Sequence, residues 1–152
     1  MSDAVIRRAT TGDVPRIIEL IVDGAAAGAT SDELPPTAPE YLEAFHRIDA
    51  NPAQTLVVAD DAGAVIGTLL FTAIQQIAHG GRPVAMVENV HVASAHRSRG
   101  VGGELMRWAI DEARRRGCHR LQLTSNNVRA DAHRFYRRLG FVASHTGMRL
   151  AL

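Results

Sequence analysis

The stretch His96-Arg97-Ser98-Arg99-Gly100-Val101-Gly102-Gly103-Glu104-Leu105 sets three glycines and two arginines directly before a strongly amphipathic segment. Glycine takes backbone angles barred to other residues and lets a ligand approach the main chain without meeting a Cβ. The first N–H groups of a helix have no partner inside it, and the helix dipole adds partial positive charge at the same end. A turn built in this way suits an anion, with phosphate or pyrophosphate as the natural guest. Two well-known phosphate loops are excluded by residue identity. A dinucleotide fingerprint needs a third glycine where Leu105 stands, and a P-loop needs a Gly-Lys-Ser/Thr ending. The chain has no lysine, so all 17 of its basic residues are arginines.

A second candidate is Glu88, in Met86-Val87-Glu88-Asn89-Val90. Val84, Met86, Val90 and Val92 share its parity along a strand, so the pattern predicts a carboxylate interrupting an apolar stripe. Such a group must either be partnered or have its pKa raised by desolvation, and the second is what a general base requires. The alternative is a structural acid paired with an arginine. His91 and His133 carry imidazoles that serve as bases in some settings and as hydrogen-bonded packing residues in others. The single cysteine, Cys118, forbids an internal disulfide, and it is expected to pack between a helix and the next strand. No residue pattern requires a metal.

The elements that must position these residues follow from periodicity. Val5 to Ala9 reads as a strand, and Thr10-Thr11-Gly12-Asp13 supplies capping residues for a helix carrying Val14, Ile17, Ile18, Ile21 and Val22 at helical spacing. An irregular, proline-rich connection, Ser31 to Pro39, leads to a second helix, Ala38 to Ile48, for which Thr37 and Glu40 match a capping box. Thr55 to Ala59 and Ala64 to Thr72 flank Asp60-Asp61-Ala62-Gly63 as a hairpin. Val84 to Val92 is the next strand and delivers the chain to the glycine loop. An amphipathic helix runs from near Val101 to Gly117, with Leu105, Trp108, Ala109, Ile110 and Ala113 on one face. A strand His119 to Thr124, a helix Ala130 to Leu139 and a strand or hairpin Phe141 to Leu150 complete the order. A mixed sheet with helices on both faces accommodates it.

Composition bounds the function. A chain of 152 residues is long enough for one domain with a sizeable core, and 46% hydrophobic with 22% charged residues is ordinary for a globular protein. A formal net charge of +1 argues against nucleic acid as a partner, since a duplex binder carries a basic excess. No apolar run approaches the ~20 residues of a membrane span. The Met1-Ser2-Asp3-Ala4 start lacks the blocks of a signal peptide, so the expected location is the cytoplasm.

The segment Arg97-Ser98-Arg99-Gly100-Val101-Gly102, placed after the third strand of a meander, resembles the Gln/Arg-x-x-Gly-x-Gly/Ala hallmark of the GNAT superfamily of N-acetyltransferases. A second block, Ala132-His133-Arg134-Phe135-Tyr136-Arg137-Arg138-Leu139-Gly140-Phe141, is similar to that family's closing helix. The resemblance implies an α/β (α+β) fold, a mixed sheet of six to seven strands flanked by about four helices in a single domain spanning 1–152. It implies acetyl-coenzyme A as cosubstrate. The loop from Arg97 through Ser98, Arg99, Gly100, Val101 and Gly102 to Gly103 would grip its pyrophosphate, with N–H groups from Arg99 onward and charge from Arg97 and Arg99. The main chain of Val90, His91 and Val92 would receive the pantetheine arm where the strand splays at a bulge, and an N–H near Val90 or His91 would serve as oxyanion donor.

By the same resemblance Glu88 would act as base, directly or through water, and Tyr136 as proton donor to the leaving thiolate. The alternative for Tyr136 is a packing role, since Phe135, Leu139 and Ala132 give this helix a buried side as well. Where many relatives have an asparagine this chain has Arg129, so Asn126 or Asn127 would take over that contact, Arg129 would reach the phosphates, and His133 would touch the coenzyme. The expected acceptor is a primary amine of a small molecule, such as an amino acid or aminophosphonate. An aminoglycoside would welcome the acids Asp32, Glu33 and Glu40 of the irregular loop. A protein or peptide amine, and a non-catalytic sensor of acetyl-coenzyme A, are the alternatives. The segment Phe141 to Leu152 would form a homodimer interface or else finish the monomer's own sheet.

Overall fold

The computed structural model describes residues 2–25, 32–127 and 129–152. It divides into two compact units, Met1–Gln122 and Leu123–Leu152. The first contains a sheet of five strands in the order β1-β2-β3-β4-β5: β1 (Val5–Arg8), β2 (Gln54–Asp61), β3 (Ala64–Ile74), β4 (Val84–Val92) and β5 (Leu121–Gln122). The first four pair antiparallel, and β5 joins β4 in parallel. It also holds helices α1 (Val14–Asp23), α2 (Pro39–Ala50) and α3 (Val101–Arg115).

Local chemistry explains these elements. The β2–β3 hairpin closes on Ala62 and Gly63, both at positive φ (50° and 94°), the two-residue turn whose twist matches its strands. Asp60 Oδ1 accepts the Gly63 N–H at 2.7 Å. The entrance to α1 is a capping box of Thr10 and Asp13, and Arg7 ties it to the sheet with contacts of 2.7 Å to Asp13 and 2.8 Å to Asp60. Arg7 and the Thr10 groups hold the Asp13 carboxyl below its ordinary pKa against the opposing effect of burial. The start of α2 departs from the sequence expectation. Its N-cap is Ala38, with no side-chain cap, rather than Thr37. Pro39 fills the first helical position, and a residue before proline is pushed to the extended conformation that Ala38 shows.

Side-chain parity divides the sheet into two faces. Gly67 and Phe71 of β3 face α3: a Cβ on Gly67 would lie 3.1 Å from Leu105, and the Phe71 ring meets Trp108 edge-on. Leu69, Leu105, Met106 and Ala109 are fully buried. The opposite face carries Thr68 and Leu70 and lies against α1 and α2. At its far end α3 is fastened to β2 by Arg116, which donates to Pro52 O (2.7 Å), to Thr55 Oγ1 (3.2 Å) and to Glu112 Oε1 (2.7 Å).

The second unit contains α4 (Ala130–Arg138). Among the described residues the sheet has five strands, fewer than the six to seven expected. The predicted strand His119 to Thr124 is reduced to Leu121–Gln122, and Phe141 to Leu150 forms no ladder. Met148, Leu150 and Leu152 alternate as a strand would, yet they are exposed. Alternation marks a segment able to pair, but extended structure is stable only when partner strands satisfy its main chain.

Candidate active site

The feature that organises the site is an irregularity in β4. Thr68 of β3 pairs with His91 and Leu70 pairs with Glu88, so two residues of β4, Asn89 and Val90, stand opposite Leu69 alone. This is a β-bulge. Asn89 occupies the left-handed region (φ 50°), which asparagine tolerates better than other non-glycine residues. On its other side β4 is paired only at Ala85 with Leu121 and Met86 with Gln122. Beyond Met86 that edge has no ladder partner among the described residues. The Ala93 N–H bonds to Ile66 O of β3, so by alternation the main chain of Val90 and Val92 turns toward the open edge. Arg97 Nε donates to Val92 O there at 3.2 Å, which leaves Val90 as the outward-facing stretch of backbone.

The bulge also corrects the parity argument. An inserted residue swaps faces for everything beyond it, so Glu88 shares a face with His91, Leu70 and Thr68, and not with Val90 and Val92. Glu88 is exposed, and no ion pair among the described residues reaches it. The buried, partnered carboxylate that the parity pattern predicts is replaced by an exposed one opposite Leu70, next to the bulge. His91 is half-buried, with its ring against the end of α1: a Cβ on Gly24 would fall 2.1 Å from its Nδ1.

On this same face is a cavity of 230 Å³. Leu56, Thr68, Leu70 and Asn89 bring the sheet and its bulge to it. From α1 come Ile17, Ile18 and Ile21, and from α2 come Tyr41, Phe45 and Ile48. Glu33 lines it as well, and Tyr41 Oη donates a hydrogen bond to Glu33 Oε2 while accepting the Leu34 N–H at 2.7 Å. The Glu33 carboxylate raises the pKa of the Tyr41 phenol, because ionisation would set two negative charges side by side.

The glycine loop leads into α3 as expected. Gly100 is the N-cap, at φ 88°, and a Cβ there would meet nothing within 4 Å. The first helical bond runs from Glu104 N–H to Gly100 O at 3.0 Å, so the N–H groups of Val101, Gly102 and Gly103 precede it. Ser98 also takes a positive φ (62°). Arg97 is braced, with Nη2 3.6 Å from Asp23 of α1, whereas Arg99 is exposed in the turn. Glu104 works against an anion here: it lies in the first turn, and its Oε2 is buried without a partner. An open donor turn, a spread strand edge and an adjoining cavity together fit a long cosubstrate carrying phosphates and an extended amide chain.

Comparison with known proteins agrees. The model of the acetyltransferase (GNAT) family matches residues 18–141. The chain belongs to this family. Aminoalkylphosphonate N-acetyltransferase of Salmonella typhimurium is 30% identical over 140 residues, covering 92% of this chain and 86% of that protein. Streptothricin acetyltransferase of Streptomyces lavendulae is 33% identical, covering 89% of this chain and 79% of its own. A crystal structure of a transcriptional regulator from Bacillus halodurans C-125 superimposes with a TM-score of 0.92 at 35% identity, over 98% of this chain and 99% of that one. The protein is thus an acyltransferase of the N-acetyltransferase type, and its family draws the acetyl group from acetyl-coenzyme A.

In the second unit of this acetyltransferase, Tyr136 lies on α4, its ring edge-on to Phe135 and Phe141 (centroids 5.1 and 5.8 Å). Burial raises its phenol pKa, against the opposing effect of the Arg129 charge. Asn126 O accepts the Arg129 N–H at 3.0 Å and lies 3.1 Å from His133 Nε2, so these three fold onto one another at the start of α4. Asn127 is exposed beside them. Among the described residues no cluster of His, Cys, Asp or Glu is placed to hold a metal, and no helix is long and apolar enough to cross a membrane. Sequence reasoning passed over Asn89 and Tyr41. The first carried a signal, a turn-forming residue inside an apolar strand.

Proposed function

We propose that the protein transfers an acetyl group from acetyl-coenzyme A to the primary amine of a small molecule, by direct attack of nitrogen on the thioester. The bulge carries this reading, since it opens the main chain of Val90 and turns Glu88 and His91 to the face that holds the cavity. The N–H groups of Val101, Gly102 and Gly103, with the exposed Arg99, would hold the pyrophosphate, while Arg97 braces the loop. Arg129, Asn126, Asn127 and His133 are the proposed further contacts. When bound, the cosubstrate supplies a thioester carbonyl carbon to the amine. Glu88, exposed on that face, takes the ammonium proton directly or through water and so uncovers the nitrogen lone pair. A main-chain N–H at Val90 or His91 steadies the developing oxyanion. Tyr136, kept protonated by burial, is the proposed donor to the departing sulfur.

A second reading, a regulator that binds acetyl-coenzyme A without turnover, is favoured by the name of the Bacillus halodurans relative. Thiol release from acetyl-coenzyme A across a panel of amines and short peptides separates the two, with Glu88→Gln alongside. Turnover of small amines that falls by about 10²-fold or more in the variant is the expected result. Full activity in Glu88→Gln would remove the base assignment, and coenzyme binding with no turnover anywhere would favour the regulator.

A further inference from the structure

Resting on the acetyltransferase reading, we infer that the acceptor is a primary amine on a compact apolar body without an anionic group, selected by the Glu33 carboxylate at the cavity. The cavity surface is hydrocarbon on nearly every side, with Ile17, Ile21, Phe45 and Ile48 facing Leu56 and Leu70. Among its described lining residues Glu33 alone bears a charge, and that charge is negative. Tyr41 holds this carboxylate by donating to it while its own oxygen accepts the Leu34 N–H, so the acid is oriented before any ligand arrives.

An aminophosphonate or a sugar phosphate carries an anionic group that needs arginine or lysine when it leaves water. The described lining residues include neither. Residues 26–31 read Ala-Ala-Gly-Ala-Thr-Ser and contain no basic side chain. The arginines of neighbouring segments are engaged elsewhere: Arg16 with Val65 O and Glu19, and Arg97 with Asp23 and Val92 O. A volume of 230 Å³ also lies below the ~300–1,000 Å³ of pockets for drug-sized ligands, which suits a compact acceptor better than a multi-ring aminoglycoside. The acceptor inferred here thus differs from the one named for the Salmonella relative.

The test compares three amines of similar length, an arylalkyl amine, the amino acid formed by adding its α-carboxylate, and an aminoalkylphosphonate, in the wild type and in Glu33→Gln. Two readouts are taken: kcat/KM by thiol release, and the ligand-induced shift in melting temperature without acetyl-coenzyme A. The arylalkyl amine is expected to exceed the phosphonate by about 100-fold in kcat/KM and to give the larger thermal shift. Glu33→Gln should raise its KM about three- to tenfold with kcat little changed, the size suited to an exposed ion pair. Preference for the phosphonate in either readout would overturn the inference, as would an unchanged ranking and KM in Glu33→Gln. If no amine is acetylated, the acetyltransferase reading fails on the first readout, while the thermal shifts still decide which amine the cavity accepts.

Discussion

Two glycines of the loop provide a test in which the same chemical change, one added methyl, should act in opposite directions. Gly100 has φ 88° and open space around the position of a Cβ, so Gly100→Ala meets no clash and its cost is purely conformational. Holding an L-residue in the left-handed region costs about 1–2 kcal/mol. For a chain of this size that lowers the melting temperature by about 2–8 °C. Gly103 is within α3, where alanine is favoured over glycine by up to about 1 kcal/mol. A Cβ there would lie 3.3 Å from Arg107 Nη1, the end of a flexible side chain that can withdraw. Gly103→Ala should therefore be neutral or stabilising. If Gly100 relieves its strain by rotating, the N–H groups leave their common direction, and KM for acetyl-coenzyme A rises about 5–30-fold, the factor equivalent to 1–2 kcal/mol. Urea midpoints and coenzyme saturation curves measure both quantities. An unshifted midpoint in Gly100→Ala, or equal losses in the two variants, would refute the argument.

Glu112 makes a prediction about pH. Arg115, then Arg116, lowers its carboxyl from 4.5 to about 2, against the opposing effect of burial. A lowered pKa adds stability that is complete above the ordinary value of 4.5 and is lost as pH falls toward 2. The full shift would be worth about 3 kcal/mol, and because Arg115 is largely exposed, screening reduces this to about 1–2 kcal/mol. Glu112→Gln should lose that amount at pH 7 and converge with the wild type only as the pH falls to about 2 and below in urea titrations; a gap independent of pH would contradict it. Gly24→Ala should cost about 1–3 kcal/mol by overpacking, since its Cβ would lie 2.1 Å from His91 Nδ1. An unchanged melting temperature together with unchanged His91 imidazole resonances would show that the close approach has no energetic weight.

The chain announces its glycine loop openly, because a helix start, a positive-φ turn and an amphipathic face all leave local marks. The bounds of β4, Val84 to Val92, were likewise legible from β-branched residues and the flanking turn. The bulge was not, since it depends on how β4 meets β3, and one asparagine signals only that a left-handed residue is tolerable. The isoleucines of α1 show what the pattern leaves open. Their spacing marks an inward face, but a face packed solid and a face bordering a hollow have the same periodicity, and only the distance to β3 decides. Glu33 was visible as an acid in an irregular loop, whereas its meeting with Tyr41 required α2 to be in place. The C-terminal segment has the alternation of a strand, and alternation says nothing of where a partner would come from.

The extra residue in β4 works like a stammer in a sentence whose sense survives it. Asn89 and Val90 share the place opposite Leu69, so removing Asn89 would leave Glu88 beside Leu70, His91 beside Thr68 and Val92 beside Gly67, each on the face it holds now. The pairing on both sides of the bulge would go on being read correctly. What would be lost is the bend itself, since a bulged strand turns out of the line of its neighbour and an unbroken ladder does not. The fold can therefore spare this residue and the site cannot. Among proteins descended from this one, a gap at residue 89 should mark chains that keep the architecture after the opening beside Val90 has closed.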